Sequence, residues 1–160
     1  MQVRHVKTLQ PAQPGIARTH AVCWSANNKR LAVADFGRFV HLYDEAGERR
    51  DKFSTKPADS KGAKTFIIKE MAFSPDSTKL AIAQSDYIVF VYKLGLDWGE
   101  KKSICNKFPQ SSAATCMVWP QGTTGNELIV FGTGEGKVRV AFLKTNKSQT
   151  LFSHDAAVVS

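Results

Sequence analysis

Three stretches of the chain repeat one order of apolar and polar positions. In HAVCWSANNKRLAVADFGRFVHLYDEAG (20–47) and IKEMAFSPDSTKLAIAQSDYIVFVYKLG (68–95), Trp24 corresponds to Phe73, Leu31 to Leu80 and Tyr43 to Tyr92, each at an offset of 49 positions. A third copy, AATCMVWPQGTTGNELIVFGTGEGKVRVAF (113–142), puts Trp119 46 after Phe73 and Ala141 49 after Tyr92, the difference falling in the loop Gln121–Asn126. Repetition at such a period is the mark of a repeat architecture. Each copy opens with an apolar or mixed run ending in an aromatic residue, followed by a polar turn (SANNK, SPDST, PQGTTGN). A short aliphatic run (RLAVA, KLAIA, ELIVF), a hairpin turn and a third run (RFVHLY, YIVFVY, KVRVAF) come next. These runs predict strands, and the turn residues between them predict antiparallel hairpins. A more polar fourth run closes each copy: RRDKF (49–53), SICNKF (103–108) and SQTLF (148–152). Apolar inner strands with a charged outer one are what stacked four-stranded units require, because neighbours cover the inner strands on both faces.

The expected fold class is therefore all-β, a partial β-propeller of WD-repeat type with about three four-stranded blades and the start of a fourth. Blade 1 is expected over 20–53, blade 2 over 67–108 and blade 3 over 113–153, with 155–160 opening a fourth. Closed propellers have about four to eight blades, so residues 1–160 are expected to be the amino-terminal part of a longer protein, with VRHVKTL (3–9) as the outer strand of its closing blade. The details resemble WD repeats, whose third strand ends in a Trp-Asp pair; Tyr43-Asp44 is the nearest match, and Tyr92-Lys93 and Ala141-Phe142 depart from it. Asp35, Asp86 and Glu135 stand in the hairpin where WD repeats carry an acid, and the resemblance implies His154 as the histidine that such an acid bonds.

Beyond the repeat, the strings YDEAGERRDKFSTKPAD (43–59), MAFSPDSTKLAIAQSD (71–86), DWGEKKSICNKF (97–108) and EGKVR with KTNKS (135–148) are distinctive. Together they resemble the amino-terminal WD-repeat region of the intraflagellar transport protein 172 family, subunits of complex B. That family has two amino-terminal propellers followed by a long α-helical solenoid. The resemblance implies a non-enzymatic scaffold needed for cilium assembly and maintenance, located at the cilium or flagellum, the ciliary base and the cytoplasm. It implies other complex B subunits as partners, one of them bearing a calponin-homology domain.

Composition adds a charge. The 160 residues are 42% hydrophobic and 22% charged, an ordinary globular balance. Lys and Arg outnumber Asp and Glu by 22 to 14, for a net charge of +8. Seven cations (Arg49, Arg50, Lys52, Lys56, Lys61, Lys64, Lys69) fall between 49 and 69 against Asp51 and Asp59. Such a run is either a solvated face or a docking site for an acidic protein surface, anionic lipid or nucleic acid. Phe53 and Phe66 are too few aromatics for a base-stacking platform, so membrane lipid is the alternative partner and nucleic acid is not expected. The Pro-Gly punctuated loop Ser54–Thr65 is expected to project. Trp98, in a Gly- and charge-rich loop, is either an interface anchor or a lid on its own blade. Arg49, Arg50, Lys52, Lys56 and Trp98 are the candidate partner contacts. Trp24 and Trp119, ending first strands, are expected in the core.

Candidate chemistry is sparse, and an enzyme is not expected. GTGEGK (132–137) resembles a phosphate-binding loop, but that loop must feed a helix, whereas VRVAF reads as a strand. The same glycines suit a tight hairpin. His5, His20, His41 and His154 lack metal-ligand spacing, and Cys23, Cys105 and Cys116 form no CxxC pair, so they are read as reduced, mostly buried thiols. No GxSxG elbow occurs. No catalytic, metal or cofactor residue and no small-molecule substrate is assigned. No run reaches the ~18 apolar residues that span a bilayer.

Overall fold

The computed structural model describes residues 1–61, 65–122 and 127–160. Parts of the loops Ser54–Thr65 and Gln121–Asn126, with Lys64, lie outside the described residues. Twelve strands form three antiparallel four-stranded sheets. Blade 1 holds β1 (Thr19–Trp24), β2 (Leu31–Asp35), β3 (Phe39–Tyr43) and β4 (Arg49–Ser54). Blade 2 holds β5 (Ile68–Phe73), β6 (Lys79–Gln84), β7 (Ile88–Lys93) and β8 (Ser103–Pro109). Blade 3 holds β9 (Ala114–Val118), β10 (Leu128–Thr133), β11 (Lys137–Phe142) and β12 (Lys147–Ser153). In each sheet the strands lie side by side in chain order, the meander of a propeller blade.

Local chemistry repeats with the strands. In the first turn of blade 1, the Ser25 hydroxyl meets Asn27 Oδ1 at 2.8 Å and accepts the N–H of Arg30 at 2.9 Å. Forty-nine residues on, Ser74 donates to Asp76 Oδ1 at 2.6 Å and accepts the N–H of Lys79 at 2.9 Å. In the second turn the chain passes through the left-handed region at Arg38 (φ 68°), Tyr87 (φ 66°) and Gly136 (φ 85°), again at intervals of 49. GTGEGK is thus the β10–β11 hairpin with a glycine at its strained position, and strand β11 follows where a phosphate-binding loop would place a helix.

The core lies between blades. Because side chains alternate along a strand, β6 sends Leu80 and Ile82 toward blade 1 and Ala81 and Ala83 toward blade 3. One core joins Ala32, Ala34, Val40 and Leu42 to Phe73, Leu80, Ile82 and Phe90, and the other joins Ala81, Ala83 and Val89 to Trp119, Ile129 and Phe131. Small residues on one blade receive large ones from the next. The series Ala34, Ala83, Gly132 runs at intervals of 49, and the Val158 side chain seats over Gly132.

Trp24 departs from expectation. Trp119 is 3% exposed and Phe73 5%, but Trp24 is 52% exposed. Each of these rings points toward the preceding blade, and among the described residues blade 1 has none before it. Instead, the chain ahead of β1 lies against blade 1: Gln10 Nε2 donates to Tyr43 Oη at 3.1 Å, Lys7 pairs with Glu48, and Leu9 covers Gly47. Residues 3–9 join no ladder, and at the other end Val158 bonds the carbonyl of Thr133 through its N–H at 3.2 Å. The hairpin acid also differs from expectation. Asp35 Oδ2 bonds His41 Nε2 at 2.8 Å, and its Oδ1 accepts the N–H of Phe39 at 3.0 Å. His41 is on the adjacent strand and reaches Asp35 directly, whereas the His154 ring packs edge-on against Phe152. Gln84 and Thr133, rather than Asp86 and Glu135, lie 49 and 98 residues after Asp35 in the corresponding hairpins.

Replacing Phe131 by Ala should destabilise the chain by about 3–5 kcal/mol through the cavity left between blades 2 and 3. Cys105→Ser, on an exposed outer strand, should stay within about 0.5 kcal/mol. Urea denaturation monitored by circular dichroism measures both.

Candidate interaction surface

The outer strands carry the charged run, and their alternation divides it. In β4, Asp51 lies opposite Leu42 and Phe53 opposite Val40, so both follow their partners toward blade 2. Lys52 lies opposite His41 and turns the other way, with its Nζ 3.9 Å from the centroid of Phe39. A bulge between Leu42 and Tyr43 brings Arg49 opposite Tyr43, and Arg49 shares with Lys52 a hollow bordered by Phe39, His41 and Tyr43. Arg50 is exposed, with Nη1 3.8 Å from Asp44 Oδ2. The sequence neighbours Arg49, Arg50 and Lys52 therefore do not form one continuous patch with Lys56.

Lys56 sits at the seam between blades 1 and 2. Its N–H donates to Tyr92 Oη at 3.1 Å and its carbonyl accepts from Gln84 Nε2 at 3.0 Å. The backbone is bolted to blade 2 while the side chain stays exposed. Trp98 is half-buried under the Arg30 guanidinium, 4.8 Å from the ring centroid, and Arg30 also donates to the carbonyls of Gly95, at 2.8 Å, and Leu96. Trp98 thus clamps blade 2 to blade 1. Below it, Asp51 accepts from Lys102 and, at 3.3 Å, from the N–H of Gly99. Burial alone would raise the Asp51 carboxyl, but Lys102 and the N–H groups of Lys52 and Gly99 outweigh it and hold the group below the usual aspartate range.

Between β4 and β8 these residues border a groove of about 720 Å³ whose lining includes Phe53, Lys56, Tyr92, Lys101, Ile104 and Lys107. The three lysines other than Lys56 on this seam, Lys101, Lys102 and Lys107, were not candidates from sequence. Their signal was faint: they follow Trp98 in EKKSICNKF, and only the pairing of β8 with β7 turns Lys107 toward blade 1, opposite Phe90.

Nucleophile chemistry finds little support here. Burial, with Glu70 adding to it, pushes the Cys23 thiol up to about 12, and burial raises Cys105 as well. Both thiols stay protonated at neutral pH. The sequence predicts mostly buried thiols; Cys23 and Cys116 are half-buried, and Cys105 is exposed because it lies on the outer strand β8. Glu100 accepts the N–H of Asp97 at 2.7 Å, so these two close a turn. Among the described residues no three His, Cys, Asp or Glu side chains gather as a metal site, and no helix is long and apolar enough to cross a membrane.

Three meandering four-stranded sheets with cores between them define a partial WD-repeat propeller. The crystal structure of RRP9 WD40 repeats matches 94% of this chain and 42% of that one, with a TM-score of 0.72 at 16% identity. The structure of U3-55K matches equally well, at 0.72 and 15% identity over 94% of this chain and 43% of its own. No protein-family profile matches the sequence. Within the propeller class the chain is homologous along its whole length to intraflagellar transport protein 172. It is 56% identical over 100% of its residues to the Rattus norvegicus homolog, and 53% identical over 96% to the Chlamydomonas reinhardtii protein. It spans 9% of the length of each of these curated relatives.

The depressed Asp51 carboxyl contributes stability that is complete above the unfolded value of about 3.9 and is lost as pH falls through its lower folded value. Asp51→Asn should therefore cost more stability at pH 7 than at pH 3. Parallel denaturation curves at the two pH values test this; an equal loss at both would contradict it.

Proposed function

We propose that this chain is a docking part of a non-enzymatic scaffold in intraflagellar transport complex B, serving cilium assembly and maintenance. The observation that carries the reading is identity of 45–56% to transport proteins of mammals, an alga and a nematode across the whole chain. The intraflagellar transport in all their names supports the cilium or flagellum as the place of this chain. We extend that to the ciliary base and cytoplasm, where such a subunit would be assembled.

Support for docking comes from the outer rim. Arg49, Arg50, Lys52 and Lys56 are exposed on or just after β4. They are proposed to meet other complex B subunits, including one with a calponin-homology domain, with Trp98 holding the rim in shape beneath Arg30. The proposed unit is an arc of a larger ring, with residues 3–9 as the outer strand of a closing blade and 155–160 opening the fourth. Apolar side chains left open on blade 1 favour this: Val22 is 57% and Trp24 52% exposed, where blade 2 buries Phe73. The net charge of +8 favours a second reading, direct binding to an anionic membrane surface.

Charge reversal at Arg49, Arg50 and Lys56 in the full-length protein should reduce recovery of complex B subunits from ciliated cells roughly ten-fold, the effect of losing about 1.4 kcal/mol. Unchanged recovery would overturn the contact assignment. Loss of binding to phosphatidylserine vesicles with subunit recovery intact would favour the membrane reading.

A further inference from the structure

The groove between blades 1 and 2 has a composition the scaffold reading does not explain by itself. Its floor is apolar: the Phe53 and Tyr92 rings are 5.3 Å apart, with Ile104 half-buried beside them. Its rim is basic. Lys56, Lys101 and Lys107 have no carboxylate at ion-pair distance among the described residues. The two acids that line it are already engaged, Asp51 by Lys102 and Glu100 by the N–H of Asp97. The walls are β4 and β8, each the last strand of its sheet, so their outward edges have no ladder partner.

We propose that this groove receives an extended, acidic segment of a partner protein, its alternate apolar side chains on Phe53 and Ile104 and its carboxylates on Lys56, Lys101 and Lys107. An extended chain places successive side chains on opposite sides, which suits a floor of one character and rims of the other. The free edges of β4 and β8 offer backbone N–H and C=O groups to such a segment. A flat lipid surface could meet the rim lysines but would not enter the recess to reach Phe53 and Ile104. Nucleic acid bases would find a single half-buried ring, Phe53, on the floor, because Tyr92 is 3% exposed.

The inference rests on the scaffold reading and deepens it. The probe is a fluorescein-labelled nonapeptide of alternating Glu and Leu, titrated into the protein and read by fluorescence anisotropy. Lys101→Glu with Lys107→Glu should weaken binding at least roughly ten-fold, while Lys101→Arg with Lys107→Arg retains it. Lys147→Glu, on the exposed outer strand of blade 3, should change it less than about two-fold. Circular dichroism confirms that each variant is folded. Equal binding by wild type and the Glu double variant, or equal binding of a Lys-Leu peptide, overturns the proposal. So does binding of phosphatidylserine vesicles, but not the peptide, in a manner sensitive to the same double variant. If wild type recovers transport subunits while the double variant changes neither peptide nor subunit binding, the groove assignment fails and the scaffold stands. If wild type recovers none, the scaffold reading fails while the peptide titration still reports on the groove.

Discussion

A four-stranded sheet that is apolar on both faces has to be covered on both, and every other feature of this chain follows from how its blades cover one another. The contact works by unequal partners. Ala32 and Ala34 leave room on blade 1 for Leu80, Ile82 and Phe90, and Ala81 and Ala83 leave room on blade 2 for Ile129 and Phe131. Interiors packed at crystal-like density tolerate little mismatch, so the small-facing-large rule sets the distance between sheets. Gly132 continues the rule on blade 3, where Val158 fills the space.

That packing also decides where the surface is. With the inner strands committed to neighbouring blades, the fourth strands β4, β8 and β12 take the solvent side, and β4 carries Arg49, Arg50, Asp51 and Lys52. Their seams are held by polar contacts rather than by core. Arg30 over Trp98 and Lys102 on Asp51 join blades 1 and 2, and Asn106 joins blade 3 by donating to the carbonyl of Leu143 at 2.8 Å. A clamp and a groove therefore occur at the same seam, where Trp98 of blade 2 packs beneath Arg30 of blade 1.

The homology and the geometry answer different questions. Identity across the whole chain relates it to intraflagellar transport protein 172 homologues, of which it spans 9%. The propeller neighbours, at 15–16% identity, give only the fold. Neither assigns a contact residue, which is why the rim and the groove between the first two blades carry the functional proposals.

By itself the sequence determined the repeat, and with it the strands, the blade order and the absence of a helix after GTGEGK, because these depend on local alternation and turn chemistry that recur every 49 residues. The same recurrence misled at Trp24, whose burial depends on a neighbour and not on its place in the repeat. Only the tertiary structure decided which cations share a face. Alternation along β4 turns the Lys52 side chain onto Phe39, while the pairing of β8 brings Lys107, 51 residues further on, to the same groove as Lys56. Likewise, Asp35 met His41 instead of His154, since side chains on adjacent strands reach one another first. Charge and hydrogen-bond partners are set by distances across strands and blades, and no spacing along the chain encodes those.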